Sequence, residues 1–277
     1  MTMNGKTALI TGSTDGVGRY VAERLAAEGA RLLVHGRDRA RGEAVVERIN
    51  GQGGDARLLI ADLSSLAEVR SLAAAVERET DRLDALVNNA GIGASGARRE
   101  LSADGHELRF AVNYLAGFLL TRLLLPALEA RAASRIVNVA SAGQQPIDFA
   151  DVMLARGYSG ARAYRQSKLA QIMFTFDLAQ ELAGRNVTVT CLHPATFMDT
   201  TMVRLSGVQP ISTVEEGGAA ILQLVASPSL EGRTGLYFNG LRESRADPQA
   251  YDPAARARLR VLSFDLAGIV DPVRPAA

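Results

Sequence analysis

KTALITGSTDGVG, residues 6–18, decides the fold. A short apolar run breaks into a turn holding three glycines, and an amphipathic stretch through VAERLAAEG comes next. The run reads as a buried strand and the stretch as a helix, so the glycines stand at a strand-to-helix turn. Gly12 permits the tight turn, Gly16 lets a backbone approach a pyrophosphate, and Gly18 allows close helix packing. Ser13, Thr14, Asp15 and Val17 complete the loop. The helix start behind it offers free N–H groups and a partial positive charge to phosphates. A glycine pattern alone is weak evidence, and its meaning rests on the pattern of the remaining chain.

That pattern is a regular alternation. Apolar runs at 31–36, 56–62, 84–91, 134–141, 186–194 and 234–240 read as strands. Between them lie helical patterns through RGEAVVERIN, LAEVRSLAAAVERET, residues 104–128, residues 163–184 and TVEEGGAAILQLVAS. The runs are near-continuous in Val, Ile, Leu and Ala, as expected of a parallel sheet covered on both faces. The pattern predicts one doubly wound α/β domain over residues 1–277, with a seven-stranded parallel sheet. A helical extension is expected at about 245–277, its helix starting near Pro253.

Composition narrows the partners. With 31 basic against 30 acidic residues the net charge is +1, and no basic stripe with interleaved aromatics appears, so nucleic acid is not expected. AGFLLT and RLLLPAL are read as too short and interrupted to span a bilayer, and MTMNGKTALITG has no secretion-signal pattern. No membrane partner is expected. A single cysteine, Cys191, forms no intrachain disulfide, which suits a reducing cytoplasm. His35, His106 and His193 show no metal-ligand spacing, so no metal is expected.

The end of the second strand bears on cofactor choice. An NAD site usually has an acidic residue there, accepting from the ribose 2′-hydroxyl. Here the sequence is His35-Gly36-Arg37-Asp38, and the planar fork of Arg37 suits a 2′-phosphate. Asp15, in the glycine loop, would disfavour the extra negative charge if it lay near the same ribose. NADP(H) is therefore favoured and NAD(H) stays open. Asp62 follows the third strand, where a carboxylate can accept from an adenine amino group. NNAG (88–91) sets Asn89, Ala90 and Gly91 beside the adenosine half.

In AYRQSK (163–168) a tyrosine precedes a lysine by four residues, on one helical face. A free phenol, with a pKa of about 10, is a poor base at neutral pH, and a nearby ammonium would lower it. Tyr-x-x-x-Lys also arises by chance, so the pair needs the rest of the chain.

Taken in order, TGSTDGVG, Asp62-Leu63, NNAG, Asn113, IVNVAS ending in Ser141, and Tyr164-x-x-x-Lys168 resemble the short-chain dehydrogenase/reductase family. The resemblance covers about residues 5–240. GYSGARAYRQSKLAQIMFTFDLA, the HPA turn and the Ser141–Tyr164 gap are similar to its retinol-dehydrogenase-like branch, and the tail extends the likeness to about 266. The resemblance implies a Rossmann-type domain and a hydride transfer between NADP(H) and a carbonyl or alcohol. Tyr164 would be the general acid or base, and Ser141 would bond the reacting oxygen. Lys168 would favour the phenolate and bind the nicotinamide ribose, and Asn113 would hold a relay water. Where the family usually has Pro-Gly, this chain has Pro194-Ala195, which is read as tolerated. The hydroxyl of Thr196 could then bond the cofactor carboxamide.

Residues 92–105, 143–162 and 197–212 are expected to wall the substrate, mixing Phe149, Met153, Leu154, Phe197, Met198 and Met202 with Arg98, Arg99 and Arg204. A medium-sized, partly apolar carbonyl or alcohol fits them. A non-catalytic dinucleotide sensor and an enzyme with a non-redox net reaction stay open. A homodimer is also open, through apolar faces of the helices at 104–128 and 163–184.

Overall fold

The computed structural model describes residues 3–93, 98–130 and 133–273. Seven strands run parallel: β1 (Thr7–Ile10), β2 (Arg31–Gly36), β3 (Asp55–Ile60), β4 (Ala85–Asn88), β5 (Ser134–Val139), β6 (Val187–His193) and β7 (Leu236–Asn239). The parallel register holds across every pair from β3 to β7. An eighth, β8 (Arg242–Ser244), lies antiparallel on β7, and the order is β3-β2-β1-β4-β5-β6-β7-β8. The sheet therefore has eight strands, not the expected seven. Arg-Glu-Ser carries no apolar residue and is fully exposed, so no burial signal marked it. A two-residue hairpin through Gly240, at φ +58°, brings it back beside Asn239. Its charges shield the sheet edge from pairing with other strands.

Helices cover both faces. α1 (Gly16–Ala27), α2 (Arg39–Gly51) and a helix at Val214–Ala226 seal one side around Val21, Leu32, Val34 and Leu224. The other side is sealed by α3 (Leu66–Glu79), α4 (Leu108–Glu129), α5 (Gly160–Glu181) and the C-terminal helix Pro253–Ala267. Between α5 and these last elements lies a short helix α6 (Thr201–Leu205). Val214–Ala226 is thus α7, and Pro253–Ala267 is α8.

α4 starts four residues later than its sequence pattern. Asp104 is spent accepting from Leu66 N at 2.8 Å, Gly105 turns at φ +81°, and the Glu107 carboxylate caps Phe110 N instead. The helix widens to a π turn over Ala111–Leu115, a local irregularity often found at functional sites. As one continuous helix, α4 is long and apolar enough to cross a membrane, unlike the broken runs read from sequence. Here it is mostly buried in the core.

Arg122, which interrupts the apolar pattern of α4, is nearly buried. It bonds Glu181 of α5 at 2.7 Å, and its guanidinium lies 4.9–5.7 Å from the rings of Phe118, Phe174 and Phe264. Two of its nitrogens have no hydrogen-bond partner, and those ring faces surround them. Arg260 of α8 bonds Glu181 at 2.6 Å, Asp177 at 2.9 Å and Asp271 at 2.8 Å. This cluster fastens α8 over the aromatic side chains of α4 and α5. Removing one partner from a buried ion cluster leaves charge without compensation. Arg260→Ala is therefore expected to cost about 3 kcal/mol in urea unfolding. Arg204→Ala, which breaks an exposed pair with Asp199, should cost under about 1 kcal/mol.

Candidate active site

β1 and β4 are neighbours, and the chain leaves them in opposite directions across the sheet. This opens a crevice at their carboxyl ends. The glycine loop fills its near wall. Gly12 turns at φ +64° with its Cα face against Ala90, where a Cβ would meet the Ala90 Cα at 2.9 Å. A Cβ on Gly18 would fall 2.4 Å from both the Gly12 oxygen and Asn89 Nδ2. Asn89 Nδ2 donates to the carbonyls of Thr11 and Gly12 at 2.9 and 3.1 Å, and the Thr11 hydroxyl accepts from the N–H groups of Asn89 and Ala90. NNAG and the glycine loop are thus one interlocked unit. Ser13 is buried, donating to Ile10 O, and Val17 joins the core. The first turn of α1 and the bare glycines fit a pyrophosphate.

Asp15 caps α1 by accepting from Gly16 N at 2.7 Å. Burial alone would raise its pKa, but bonds from Thr201 and Gly16 and the nearby Arg41 outweigh it and leave it low. The carboxylate is thus engaged before any ribose phosphate arrives. Thr14 packs on Gly36, where a Cβ would come within 2.5 Å of its methyl. Asp38 caps α2 by accepting from Arg41 N at 3.0 Å, leaving Arg37 exposed beside it. Asp62 lies at the end of β3 with one oxygen accepting from Ser64 N, and Leu63 is buried behind it.

Across the crevice, Ser141 follows β5 and accepts from Gly143 N at 3.0 Å. Tyr164, on the second turn of α5, comes beside it: a Cβ on Gly143 would lie 3.5 Å from Ser141 Oγ and 3.8 Å from the Tyr164 ring. α5 starts at Ser159, whose hydroxyl caps Arg162 N, so it begins earlier than expected and puts Tyr164 inside regular helix. Burial raises the Tyr164 phenol and the Ser141 hydroxyl only partly offsets this. The expected lowering by Lys168 is not seen. Lys168 Nζ lies 5.8 Å from the ring centroid and donates to Val139 O at 2.8 Å and to Gln171 Oε1 at 2.9 Å. Burial pushes the Lys168 ammonium down to about 7, so its charge is only partial near neutrality. Burial and that charge together lower His193, on the facing β6.

Asn113 sits in the π turn of α4. Its side chain grips both backbone groups of Ile92, accepting from N at 2.7 Å and donating to O at 3.1 Å, and donates to Ser167 Oγ at 3.0 Å. A Cβ on Gly91 would meet Asn113 Oδ1 at 3.2 Å and Lys168 Nζ at 3.5 Å. Asn113, Ser141, Tyr164 and Lys168 therefore converge on the end of β4 and β5. Pro194 is buried after β6, and Ala195 keeps an ordinary φ, so its methyl strains nothing. The Thr196 hydroxyl pairs with His193 Nε2 at 2.9 Å.

The walls differ in detail from the sequence reading. Residues 94–97 lie outside the described residues. Arg98 is exposed. Arg99 donates to Met153 O at 2.9 Å, and Arg204 forms a two-pronged pair with Asp199. Both of these are thus spent on local structure. Phe149 and Met153 pack partly against the core, Leu154 is buried, and Met198 packs on the opposite core, while Phe197 and Met202 are exposed. A cleft of about 450 Å³ opens among Asp199, Arg204 and residues 207–210, away from Ser141 and Tyr164. α6 itself lies on the glycine loop, with Thr200 against Gly16, Thr201 on Asp15 and Met202 against Gly93.

Several polar residues escaped the sequence reading. Gln171 comes three positions after Lys168, a spacing that was itself a signal. Gln144 and Tyr237 both donate to Ser141 O. Glu107, Arg109 and Tyr158 form a buried cluster that ties Gly93 O to α4.

Known proteins fit this geometry. The family model for short chain dehydrogenase matches residues 6–209. The chain belongs to the short-chain dehydrogenase family. Mouse retinol dehydrogenase 14 is 36% identical, over 97% of this chain and 87% of its own. Such similarity gives the chain a place in the retinol-dehydrogenase-like branch of these NAD(P)-dependent oxidoreductases. An uncharacterized protein from Mycobacterium paratuberculosis superposes with a TM-score of 0.81 at 29% identity, covering 98% of this chain and 97% of that one. RhlG of Pseudomonas aeruginosa, solved as an NADP active-site complex, gives 0.71 at 30%, covering 86% and 95%.

The tight packing and the buried ammonium each have a measurable consequence. Gly18→Ala should weaken dinucleotide binding at least about tenfold in calorimetry, because its methyl forces the loop open. Between pH 7 and about 10 the unfolded chain keeps a proton on Lys168 that the folded chain has released, so stability rises with pH across that window. Lys168→Met should flatten this rise in urea unfolding at about pH 7 and about pH 9.5.

Proposed function

We propose that the protein is an NADP(H)-dependent reductase of a carbonyl substrate, working also as the reverse alcohol dehydrogenase, with Tyr164 as proton donor. The carrying observation is that Ser141, Tyr164 and buried Lys168 come together at the end of β5: a Cβ on Gly143 would lie 3.5 Å from Ser141 Oγ and 3.8 Å from the Tyr164 ring, and Lys168 Nζ lies 5.8 Å from that ring's centroid. The cofactor supplies the hydride when bound. Negative charge then grows on the substrate oxygen, and an oxygen within reach of both hydroxyls would take the Tyr164 proton. A phenol raised by burial is fully protonated at neutral pH, the state that a general acid needs. Ser141 orients the same oxygen and shares its charge. In its charged form Lys168, with two donors on Val139 and Gln171, has a third for the ribose of the nicotinamide half. Asn113 fixes the Ile92 backbone beside them, and the relay water is assigned to it by family likeness.

NADP(H) is favoured because Arg37 stands exposed at the end of β2 while both nearby carboxylates are engaged, Asp15 on α1 and Asp38 on α2. Asp62, Leu63, Asn89, Ala90 and Gly91 are assigned to the adenosine side, and Pro194, Ala195 and Thr196 to the nicotinamide side. The substrate class is a medium-sized, partly apolar ketone, aldehyde or alcohol. The names of the curated relatives bring long apolar alcohols such as retinol into the test panel. One domain and a cytoplasmic location, on the ground of the lone buried Cys191, belong to the same reading. A homodimer across α4 and α5 would first have to displace α8.

NADPH absorbance followed against ketones, aldehydes and quinones tests this. Tyr164→Phe is expected to lose about 10²–10⁴-fold in turnover while still binding cofactor. Equal rates in parent and variant would remove Tyr164 from the chemistry. Arg37→Ala should lower the preference for NADPH over NADH by about tenfold or more, the share of a charge-assisted bond.

A further inference from the structure

The glycine loop is gripped from both sides, and one grip is made by a residue that the reaction does not use. His35, in β2, is nearly fully buried within an apolar strand. Its Nδ1 accepts from Gly12 N at 3.1 Å, and its Nε2 lies 3.2 Å from Ala61 O. A backbone N–H can only donate and a carbonyl can only accept, so the ring is neutral, bare at Nδ1 and protonated at Nε2. The backbone around it closes the same unit. Ser13 N donates to His35 O at 2.9 Å, and His35 N donates to Ser13 Oγ at 3.0 Å. From the β4 side Asn89 holds the carbonyl of the same Gly12.

We propose that His35 is the positioning residue of the dinucleotide site, holding Gly12 N–H through Nδ1 and thereby fixing the turn that receives the pyrophosphate. The inference rests on the dinucleotide reading of the glycine loop. Without an acceptor at this point, the half-buried Gly12 N–H loses its partner. The free loop then relaxes to a geometry in which it finds another partner. The cofactor must pull the loop back, so its apparent affinity falls by the fraction of loops still in the receptive form. Burial holds the imidazole pKa down to about 4, keeping Nδ1 an acceptor throughout the neutral range. Among charged groups, Asp62 at the end of β3 acts on the ring and favours its protonated form. On the glycine-loop side, Asp15 is tied to Gly16 and Arg41. Arg37 and Asp38 follow just beyond its strand, and Asp38 is turned to α2.

Two substitutions separate the ring's two bonds. The oxygen of asparagine can occupy the place of Nδ1, and the amide nitrogen of glutamine that of Nε2. NADP⁺ binding by calorimetry is compared in the parent, His35→Asn, His35→Gln and His35→Leu. The expected result is that His35→Asn stays within about threefold of the parent, while His35→Gln and His35→Leu lose about tenfold or more. Equal affinities in all four would overturn the assignment, as would loss in His35→Asn with retention in His35→Gln, which would move the role to the Ala61 bond. If His35→Leu fails to fold, the Asn and Gln pair still decides. A long-range ¹H–¹⁵N spectrum of the free parent, at a pH about two units above the imidazole pKa, gives an independent reading. A proton on Nε2 with Nδ1 bare is expected, and a proton on Nδ1 would overturn the inference. A parent that binds neither NADP⁺ nor NAD⁺ would instead sink the dinucleotide reading, and this inference with it.

Discussion

The structure depends on how closely two backbones meet at the ends of β1 and β4. Gly12 lies on Ala90 and Gly18 lies on the Gly12 carbonyl, both closer than any side chain permits. That contact brings the glycine loop, the start of α1 and the NNAG segment into one rigid wall. It also sets where a dinucleotide can lie, and so which residues at the end of β5 and on α5 can face it. Asn89, Thr11 and His35 supply the hydrogen bonds that make the approach stable rather than merely possible.

The candidate catalytic group obeys the same economy of buried polarity. Lys168 is an ammonium out of water, held by a backbone carbonyl and one amide oxygen. Behind it, Thr175 donates to Gln171 O, Asn138 to Thr175, and Asn88 to Asn138 and Thr121. This polar seam runs beneath the sheet among otherwise apolar side chains. All but the Asn88 Oδ1 of this seam is met by a partner, which binds the lysine's position to the integrity of the core. The aromatic and ionic cluster around Arg122 and Arg260 does the equivalent work at the far end of α5.

Much of this is legible in the sequence. Continuous apolar runs mark seven strands within three residues at each end, because a doubly covered parallel sheet leaves little choice of residue. β8 is invisible, since a polar edge hairpin buries nothing. The π turn at Asn113 is invisible too, because the helical pattern of α4 passes through it unbroken. Ser141, Tyr164, Lys168 and the glycines are legible as spaced motifs, and Gly91 lies beside Asn113 and Lys168. His35 is not legible, because a single polar residue in an apolar element carries no partner in its neighbours. The short helix α6 lies over the glycine loop through its contacts with Gly16 and Gly93, which no local pattern announces. Spacing alone gives the wrong sign for the Tyr164 shift, since burial acts on both members of the pair.

Everything proposed for the site requires that one crevice join the glycine loop to Ser141, Tyr164 and Lys168. A crystal structure of the protein with NADP⁺ decides whether it does. The pyrophosphate is expected over Gly16, the 2′-phosphate at Arg37 and the nicotinamide beside Tyr164, with Lys168 Nζ on its ribose. A nicotinamide lying away from Tyr164 and Ser141 would show that the loop and the tyrosine serve separate sites.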